Sequence, residues 1–253
     1  MRAVAISDIH LDAVTNGGHS RYHDVCVAID EAIDFAANKE CTHFFFLGDA
    51  FDPDAGAVAY RCVEKLLSSA TSLAAVGIES HWLAGNHDVI EDGSGSTVLT
   101  PLLAFDSIDL FDASIVVHNI PSVQIRKCEP WIIALPFTAS SHSYDPSAVI
   151  DSVPDDEPAI ILSHLMISGI MPGDESKQMS RGRDIWLPKE RISRRTAPTL
   201  VLNGHYHKRQ EFENINIVGS LVSLNFCGDE PPTSGFRFFT FLSCPITPKS
   251  LLY

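Results

Sequence analysis

The sequence has little that would suit a membrane protein or a disulfide-stabilised one. No window of its 253 residues approaches 18 consecutive apolar residues, the length at which a membrane span is expected. The chain enters a strand pattern directly after Met1, which leaves no room for a signal peptide. Its cysteines are scattered without a Cys-x-x-Cys pair, at positions 26, 41, 62, 128, 227 and 244. We therefore expect a cytoplasmic protein with reduced, mostly buried thiols.

Positive charge is also scarce. The chain has 18 lysines and arginines against 32 aspartates and glutamates, which gives a net charge of −14. This balance disfavours broad, non-specific binding to nucleic acid, which normally needs a basic face. It does not exclude a local positive site, because two divalent cations against two ligand carboxylates would leave about two positive charges there.

What the sequence does contain is a series of apolar strands alternating with amphipathic helices. The hydrophobic content of 45% is enough for one large core, and residues 1–253 are expected to form a single domain. Apolar residues at helical spacing predict helices from Arg21 to Lys39 and from Ala57 to Ala70. Loops are predicted at Asp92–Ser96 and Met171–Arg183. The predicted strands are Ala3–Ser7, His43–Leu47, Ile78–Ala84, Trp131–Leu135, Ala159–Ser163, Leu200–Asn203, Gln210–Phe212, Ile215–Gly219 and Gly235–Leu242. This alternation favours an α/β fold with a partly parallel sheet.

Five short polar clusters follow these strands. They are Asp8-Ile9-His10, Gly48-Asp49, Gly85-Asn86-His87-Asp88, His164 and Gly204-His205-Tyr206-His207. In open α/β sheets, ligands bind at the carboxyl ends of the strands. The clusters together offer two candidate ligand carboxylates, Asp8 and Asp49, with an amide oxygen and several imidazoles, which is the inventory of a two-metal hydrolytic site.

The residue types in these clusters suit a metal centre. Asp8 and His10 are two residues apart, so on an extended segment both can point to one side and chelate one ion. Gly48 lets the chain turn sharply, and the two carboxylate oxygens of Asp49 can bridge two cations. The remaining ligand atoms would come from Asn86, His164, His205 and His207. Oxygen and imidazole ligands suit Mn²⁺, Fe²⁺ or Zn²⁺.

Two such ions can hold a bridging hydroxide and clamp a phosphate for in-line attack. The leaving alkoxide then needs a proton, and His87, which lies beside Asn86 but has no obvious metal role, is the candidate general acid. We expect Asp52 to hold the His87 ring and raise its proton affinity. The other histidines are expected to have surface or structural roles, at positions 19, 23, 43, 81, 118 and 142.

In combination and in this order, the five clusters resemble the sequence blocks of the calcineurin-like metallophosphoesterase superfamily, over about Val4 to Gly219. The resemblance implies the metallophosphoesterase fold, a two-sheet mixed β-sandwich flanked by helices. It implies two divalent metal ions, one held by Asp8, His10 and His207 and the other by Asn86, His164 and His205, with Asp49 bridging. It also implies that His87 is the proton donor and that Asp52 supports it.

Within the superfamily, several segments resemble the SbcD-type exonucleases of DNA repair. These segments are Asp8-Ile9-His10-Leu11 with Arg21 and Asp24, Gly48-Asp49-Ala50-Phe51-Asp52, and residues 204–210 with Val218-Gly219-Ser220, Phe226 and Glu230. Phosphoprotein phosphatases carry Arg-Gly after the second aspartate, where this chain has Pro53-Asp54. The resemblance implies a nuclease, with Mn²⁺ as the expected metal and DNA ends or single strands as the expected substrate.

One feature departs from that likeness. SbcD-type nucleases continue into a DNA-capping domain and a segment that binds an SbcC-type ATPase partner, whereas this sequence ends at Tyr253. We therefore expect no separate capping domain, no usual partner-binding tail and no membrane association. The likeness also implies a homodimer, with the stretch around Ala57–Ala70 as the candidate contact. A small-molecule or nucleotide phosphodiesterase or phosphatase, which the acidic balance favours, and a catalytically inactive scaffold are the alternatives.

Overall fold

The computed structural model describes residues 1–14, 18–105, 113–125, 129–170, 185–223 and 234–241. These residues form two mixed β-sheets that pack face to face, with helices on their outer faces. The first sheet has four parallel strands and one antiparallel edge strand. Its strands are β1 (Arg2–Ile6), β2 (His43–Phe46), β3 (Glu79–Leu83), β4 (Ile115–His118) and β11 (Arg237–Thr240), and their order is β11-β1-β2-β3-β4.

The second sheet has a parallel centre and an antiparallel strand at each edge. Its strands are β5 (Ser122–Gln124), β6 (Trp131–Leu135), β7 (Ala159–Ser163), β8 (Thr199–Asn203), β9 (Gln210–Phe212) and β10 (Ile215–Ile217), in the order β5-β6-β7-β8-β10-β9. The helices are α1 (Tyr22–Asn38), α2 (Val58–Ala75), α3 (Pro146–Asp151) and α4 (Lys189–Ile192). Short 3-10 turns lie at Thr100–Phe105 and Ser140–His142. None of the described helices is long and apolar enough to span a membrane.

Three apolar layers hold these elements together, because the central strands of both sheets are buried on both faces. Alternate residues of β1 and β2, such as Ala5 and Phe45, face the second sheet and meet Ile160 and Leu162 from β7. The opposite face of the first sheet packs on α1 and α2, and the outer face of the second sheet packs on α3 and α4. Strands that are apolar on both faces are typical of parallel sheets covered by other layers.

The structure confirms the fold class and shifts some element boundaries. The first predicted helix is observed within one residue at each end, whereas the second continues to Ala75, five residues beyond its predicted end. The predicted strands Trp131–Leu135 and Ala159–Ser163 match β6 and β7. The segment predicted as a loop at Asp92–Ser96 lies between the bridge partners Val89 and Thr97.

Some predictions lie outside the described residues. The loop at Met171–Arg183, the residues Phe226 and Glu230, and three of the cysteines belong to the parts that are not described. The cysteines that are described, Cys26, Cys41 and Cys62, are free thiols, and the latter two are buried. This agrees with the expectation of reduced, mostly buried thiols.

Candidate metal centre at the carboxyl ends of the strands

All five polar clusters come together at one edge of the two sheets, where the parallel strands end. The loops after β1 and β2 are joined by backbone hydrogen bonds. Asp8 N–H donates to Gly48 O (2.9 Å) and His10 N–H donates to Asp49 O (3.1 Å). Asp8, His10 and Asp49 have left-handed φ values of 50°, 41° and 59°. The prediction that Asp8 and His10 lie on an extended segment is therefore wrong. The backbone turns at each of them instead, because its amides bond to the neighbouring loop.

Left-handed backbone at non-glycine residues costs about 1–3 kcal/mol each and collects at functional sites. His205 shares this conformation, with φ 73°. Four of the proposed metal ligands thus have a strained backbone, and the surrounding packing must hold them in place. This strain is consistent with a site built to bind a ligand.

Close approach between the loops depends on glycines. A Cβ on Gly85 would lie 2.8 Å from His164 Cε1, and a Cβ on Gly204 would lie 2.7 Å from His164 Nδ1. Gly48, which has a φ of 97°, would place a Cβ 2.8 Å from Gly85 Cα. His164 therefore sits in a cradle of three glycines that no side chain could share.

Asp88 clamps two of these loops together. Its carboxylate accepts hydrogen bonds from the backbone N–H groups of Asp49 (2.8 Å), Ala50 (2.7 Å) and Gly85 (2.7 Å). Burial and the nearby Asp49 carboxylate raise the pKa of Asp88 to about 7, and the backbone donors oppose this rise. Sequence analysis gave Asp88 no role, although it lies in the Gly85–Asp88 cluster.

The first group of ligand-type atoms consists of Asp8, His10 and His207, all buried and mutually within 4.8 Å. The Nε2 atoms of His10 and His207 lie 3.3 Å apart, and His207 Nε2 lies 3.8 Å from Asp8 Oδ1. Asp8 Oδ1 is buried and accepts no hydrogen bond among the described residues. Its other oxygen accepts one from Ser7 Oγ, which orients the carboxylate and which sequence analysis missed.

The second group consists of Asn86, His164 and His205. The Nδ1–H of His164 donates to Leu47 O at 2.6 Å, so in the neutral ring Nε2 carries the lone pair. That Nε2 lies 3.2 Å from Asn86 Oδ1. His205 Nε2 lies 2.8 Å from Met166 Sδ, and its Nδ1 lies 2.9 Å from the same amide oxygen. A ring nitrogen of each histidine thus converges on Asn86 Oδ1, as three ligands of one ion would.

Asp49 lies between the two groups. Its Oδ2 is 3.8 Å from His10 Nε2 and 3.3 Å from His164 Nε2. This oxygen is buried and accepts no hydrogen bond among the described residues, whereas Oδ1 accepts one from His87 N at 2.9 Å. Asp49 therefore has the position that a bridging ligand needs.

The electrostatics of the cluster require added positive charge. Asp8 and Asp49 are fully buried, and an unpaired buried carboxylate costs several kcal/mol. Burial raises the pKa of Asp8. Burial also raises the pKa of Asp49. His164 and the other imidazoles lower it by more, so the pKa of Asp49 lies well below its usual range. Burial lowers the pKa of His10 and of His205 to about 3, so both rings are neutral at pH 7.

His164 is the exception among these histidines. Burial lowers its pKa, but the Asp49 carboxylate outweighs burial and the result is a pKa of about 9. In the metal-free protein His164 is therefore protonated at pH 7 and supplies part of the missing charge. The donor set, the carboxylate oxygens that accept no hydrogen bond among the described residues and the converging ligand atoms fit divalent cations, which would take over this role.

His87 and Asp52 form a pair beside the first group. His87 Nδ1 lies 3.0 Å from Asp52 Oδ2, and the His87 ring packs edge-on against His10 with centroids 5.1 Å apart. His87 is partly exposed, with 16% of its side chain accessible. The geometry expected for these two residues is therefore present.

Carboxylates and imidazoles that converge at the carboxyl ends of parallel strands fit the metal sites of metal-dependent hydrolases. The sequence model of the calcineurin-like phosphoesterase family matches residues 1–209 of this chain. The protein therefore belongs to this family of metal-dependent phosphoesterases. No curated protein matches the chain by sequence.

Solved structures resemble this one at low sequence identity. A dimetal phosphatase from Danio rerio superposes with a TM-score of 0.60 at 12% identity, covering 94% of this chain and 91% of that one. Purple acid phosphatase PPD1 from yellow lupin (Lupinus luteus) seeds gives 0.49 at 12% identity, covering 83% and 38%. The phosphoesterase Yfce from E. coli gives 0.38 at 15% identity, covering 95% and 88%. The similarity to the Danio rerio phosphatase supports the fold and nothing beyond the fold.

Replacing Asp88 with asparagine should loosen the clamp between the two loops. The new side chain would offer one acceptor oxygen instead of two and would turn an N–H₂ group toward backbone donors, so we expect the free energy of unfolding to fall by about 1–3 kcal/mol. Urea denaturation measures this change. Asp92→Asn is the matched control: exposed Asp92 accepts from Ser94 N, an asparagine oxygen can do the same, and stability should be unchanged. Equal stability of the two variants would contradict the role of Asp88.

Metal binding should release about one proton per chain at pH 7, because His164 has a pKa of about 9 and must be neutral to bind a metal. His10 and His205, with pKa values of about 3, are already neutral and release none. Apparent affinity should therefore fall by about tenfold per pH unit as the pH drops below about 9. Calorimetry in buffers of different ionisation enthalpy counts the protons at pH 7 and pH 9.5. Equal release at both values would contradict this assignment.

Proposed function

We propose that this protein is a two-metal nuclease that hydrolyses phosphodiester bonds of DNA, with His87 as general acid. The observation that carries the proposal is the arrangement of Asp49 between two ligand groups, with the His87–Asp52 pair beside them. A phosphodiester has a poor alkoxide leaving group, so an enzyme that cleaves it needs both charge neutralisation and a proton donor.

The metal ligands in this proposal are Asp8, His10 and His207 for one ion and Asn86, His164 and His205 for the other, with Asp49 shared. When bound, two divalent cations would activate water as a nucleophile and neutralise charge on the phosphoryl oxygens. The protein's own residues orient the ligand atoms: Leu47 O fixes the tautomer of His164, and Ser7 Oγ orients Asp8. We propose Mn²⁺ as the native metal, with Fe²⁺ or Zn²⁺ as the alternatives that these ligands also suit.

In this proposal, His87 gives a proton to the leaving oxygen. Asp52 accepts from the Nδ1–H of His87, which orients the ring, and its negative charge favours the protonated imidazole. The His87 side chain is 16% exposed but its Nε2 is buried, so in this proposal the ring shifts toward the leaving oxygen when substrate binds. An imidazolium in this position can donate its Nε2 proton to the departing alkoxide.

DNA is proposed as the substrate because of the SbcD-like segments, two of which are joined in the folded protein. Arg21 forms an ion pair with Asp24 at 2.8 Å and donates to Ser223 O at 3.1 Å. It thereby links the start of α1 to the segment after Gly219 and Ser220. An SbcD-type relationship, action on ends or single strands, and a homodimer stay part of this proposal. An SbcC-type ATPase partner is a further expectation of that relationship.

A small-molecule or nucleotide phosphoesterase is the second candidate. The net charge of −14 favours it, because a long duplex repels an acidic surface and its binding normally needs basic residues. A short DNA end or a single strand makes fewer phosphate contacts than a long duplex does. The nuclease and the small-molecule phosphoesterase therefore differ in the length of substrate that the protein binds.

The purified protein with Mn²⁺ should shorten linear DNA and cleave bis-p-nitrophenyl phosphate, because the same centre attacks both diesters. We expect little hydrolysis of p-nitrophenyl phosphate. Gel electrophoresis and p-nitrophenolate absorbance measure these activities. Cleavage of the monoester alone would support the small-molecule phosphatase instead. Inactivity on all three substrates with metals bound would support a catalytically inactive scaffold.

Replacing His87 with alanine should lower kcat on DNA by about 10²–10⁴-fold and leave the metal content unchanged. The loss should be much smaller on bis-p-nitrophenyl phosphate, because p-nitrophenolate leaves without a proton. Asp52→Asn should give an intermediate loss with the same substrate dependence. His23→Ala, at an exposed position on α1, is the control and should have no effect. Equal losses on both substrates would contradict the role of His87 as acid.

A further inference from the structure

A second cluster of buried imidazoles and carboxylates lies at the opposite end of the first sheet. His43 and Glu79 are the first residues of β2 and β3 and pair directly in the sheet register, and His81 is two residues further along β3. Their side chains therefore share one face, the face toward the second sheet that also carries Phe45 and Leu83. All three residues are buried, and one ligand atom from each lies within 4.8 Å of the others.

The hydrogen bonds around His43 direct its Nε2 into this cluster. Thr42 Oγ1 lies 3.2 Å from Arg2 O, to which its hydroxyl donates. Thr42 Oγ1 also lies 2.9 Å from His43 Nδ1. Because the Thr42 hydroxyl hydrogen is already donated to Arg2 O, Oγ1 accepts a hydrogen bond from the Nδ1–H of His43. A neutral His43 therefore carries its hydrogen on Nδ1 and presents the lone pair of Nε2. That Nε2 lies 3.8 Å from Glu129 Oε2, next to β6.

His81 has a similar outer support. Its Nδ1 lies 3.0 Å from His118 Nε2, and His118 Nδ1 lies 2.8 Å from Ser122 Oγ. A chain in which His81 donates to His118 and His118 donates to Ser122 leaves the lone pair of His81 Nε2 facing Glu79 Oε1 at 2.9 Å.

We propose that His43, Glu79 and His81, with Glu129 as a fourth donor, bind a Zn²⁺ ion that is separate from the catalytic centre. Two imidazole nitrogens and two carboxylate oxygens are a donor set that Zn²⁺ binds in tetrahedral geometry. Zn²⁺ bonds of about 2.0–2.1 Å place neighbouring ligand atoms about 3.3–3.5 Å apart. The measured separations of 2.9 Å and 3.8 Å lie on either side of that value.

The charges of the proposed ligands match a divalent cation. The Glu79 side chain is only 6% exposed and lies on the face that packs against the apolar layer between the sheets. Zn²⁺ with two neutral imidazoles and two carboxylates has a net charge of zero. Thr42 and His118 would then serve as the outer partners that fix metal-binding imidazoles.

This site is distinct from the catalytic one by its position in the sheet. His81 and Asn86 are five residues apart along β3 and its exit, which corresponds to about 16 Å of extended chain. His43, Glu79 and His81 belong to the first sheet, whereas Glu129 lies two residues before β6 of the second sheet. The ion would therefore tie the two sheets together at the end opposite the catalytic edge, and its role would be structural.

Zinc stoichiometry tests the proposal without reference to activity. The full chain is stripped with a chelator, dialysed against Zn²⁺ alone and analysed for metal after removal of free ion. We expect three Zn²⁺ per wild-type chain and two for Glu79→Gln and for His43→Gln. His23→Gln, at an exposed position, should keep three. Two Zn²⁺ in the wild type, unchanged in both cluster variants, would overturn the proposal and leave a cluster in which His81 Nε2–H donates to Glu79.

Crystals of the wild-type protein soaked in Zn²⁺ give a second measurement that needs no variant. We expect an anomalous difference peak between His43, Glu79 and His81, together with peaks at the carboxyl ends of the strands. Peaks at the carboxyl ends only would overturn the proposal even if both variants fail to fold. Turnover of Glu79→Gln should stay within about twofold of wild type, because the proposed ion lies far from the reacting atoms.

Discussion

The burial of two carboxylates, Asp8 and Asp49, at the carboxyl ends of neighbouring strands is the constraint on which the site depends. A carboxylate without water needs donors or positive charge. Among the described residues their ion-pair partners are histidines, and burial keeps His10 and His205 neutral. A protonated His164 supplies part of the compensating charge, and a bound cation would supply more. The cation preference of this site thus follows from burial and not from the ligand types alone.

This constraint also explains the shape of the backbone. His164 leaves β7 of the second sheet, whereas Asp49 leaves β2 of the first, so the two side chains meet only because the sheets pack face to face. Glycines allow the loops to approach one another around His164. The Asp88 carboxylate then holds the loops after β2 and β3 in place through backbone N–H groups. Packing between the layers therefore supplies the energy that holds strained ligand residues in position.

Much of the fold could be predicted because the parallel strands are apolar on both faces. β6 and β7 were predicted residue for residue, since Trp131–Leu135 and Ala159–Ser163 are apolar runs with clear ends. β4 and β5 were missed because both are short and partly exposed, which leaves a weak pattern. The extended geometry expected around Asp8 failed for a different reason. Its backbone is set by bonds to residues 48–50, which are distant in sequence.

The sequence by itself determined the chemistry at the strand exits, because the identity and order of Asp8, Asp49, Asn86 and the histidines are local properties that no packing can change. Only the tertiary structure decided which side chains meet. Asp88 looks like a turn residue in the sequence, and His43, Glu79 and His81 look like unrelated polar residues within two strands. Strand register and the contact between sheets bring them to one point. Register is set by the burial of whole faces, which a linear pattern of residue types does not contain.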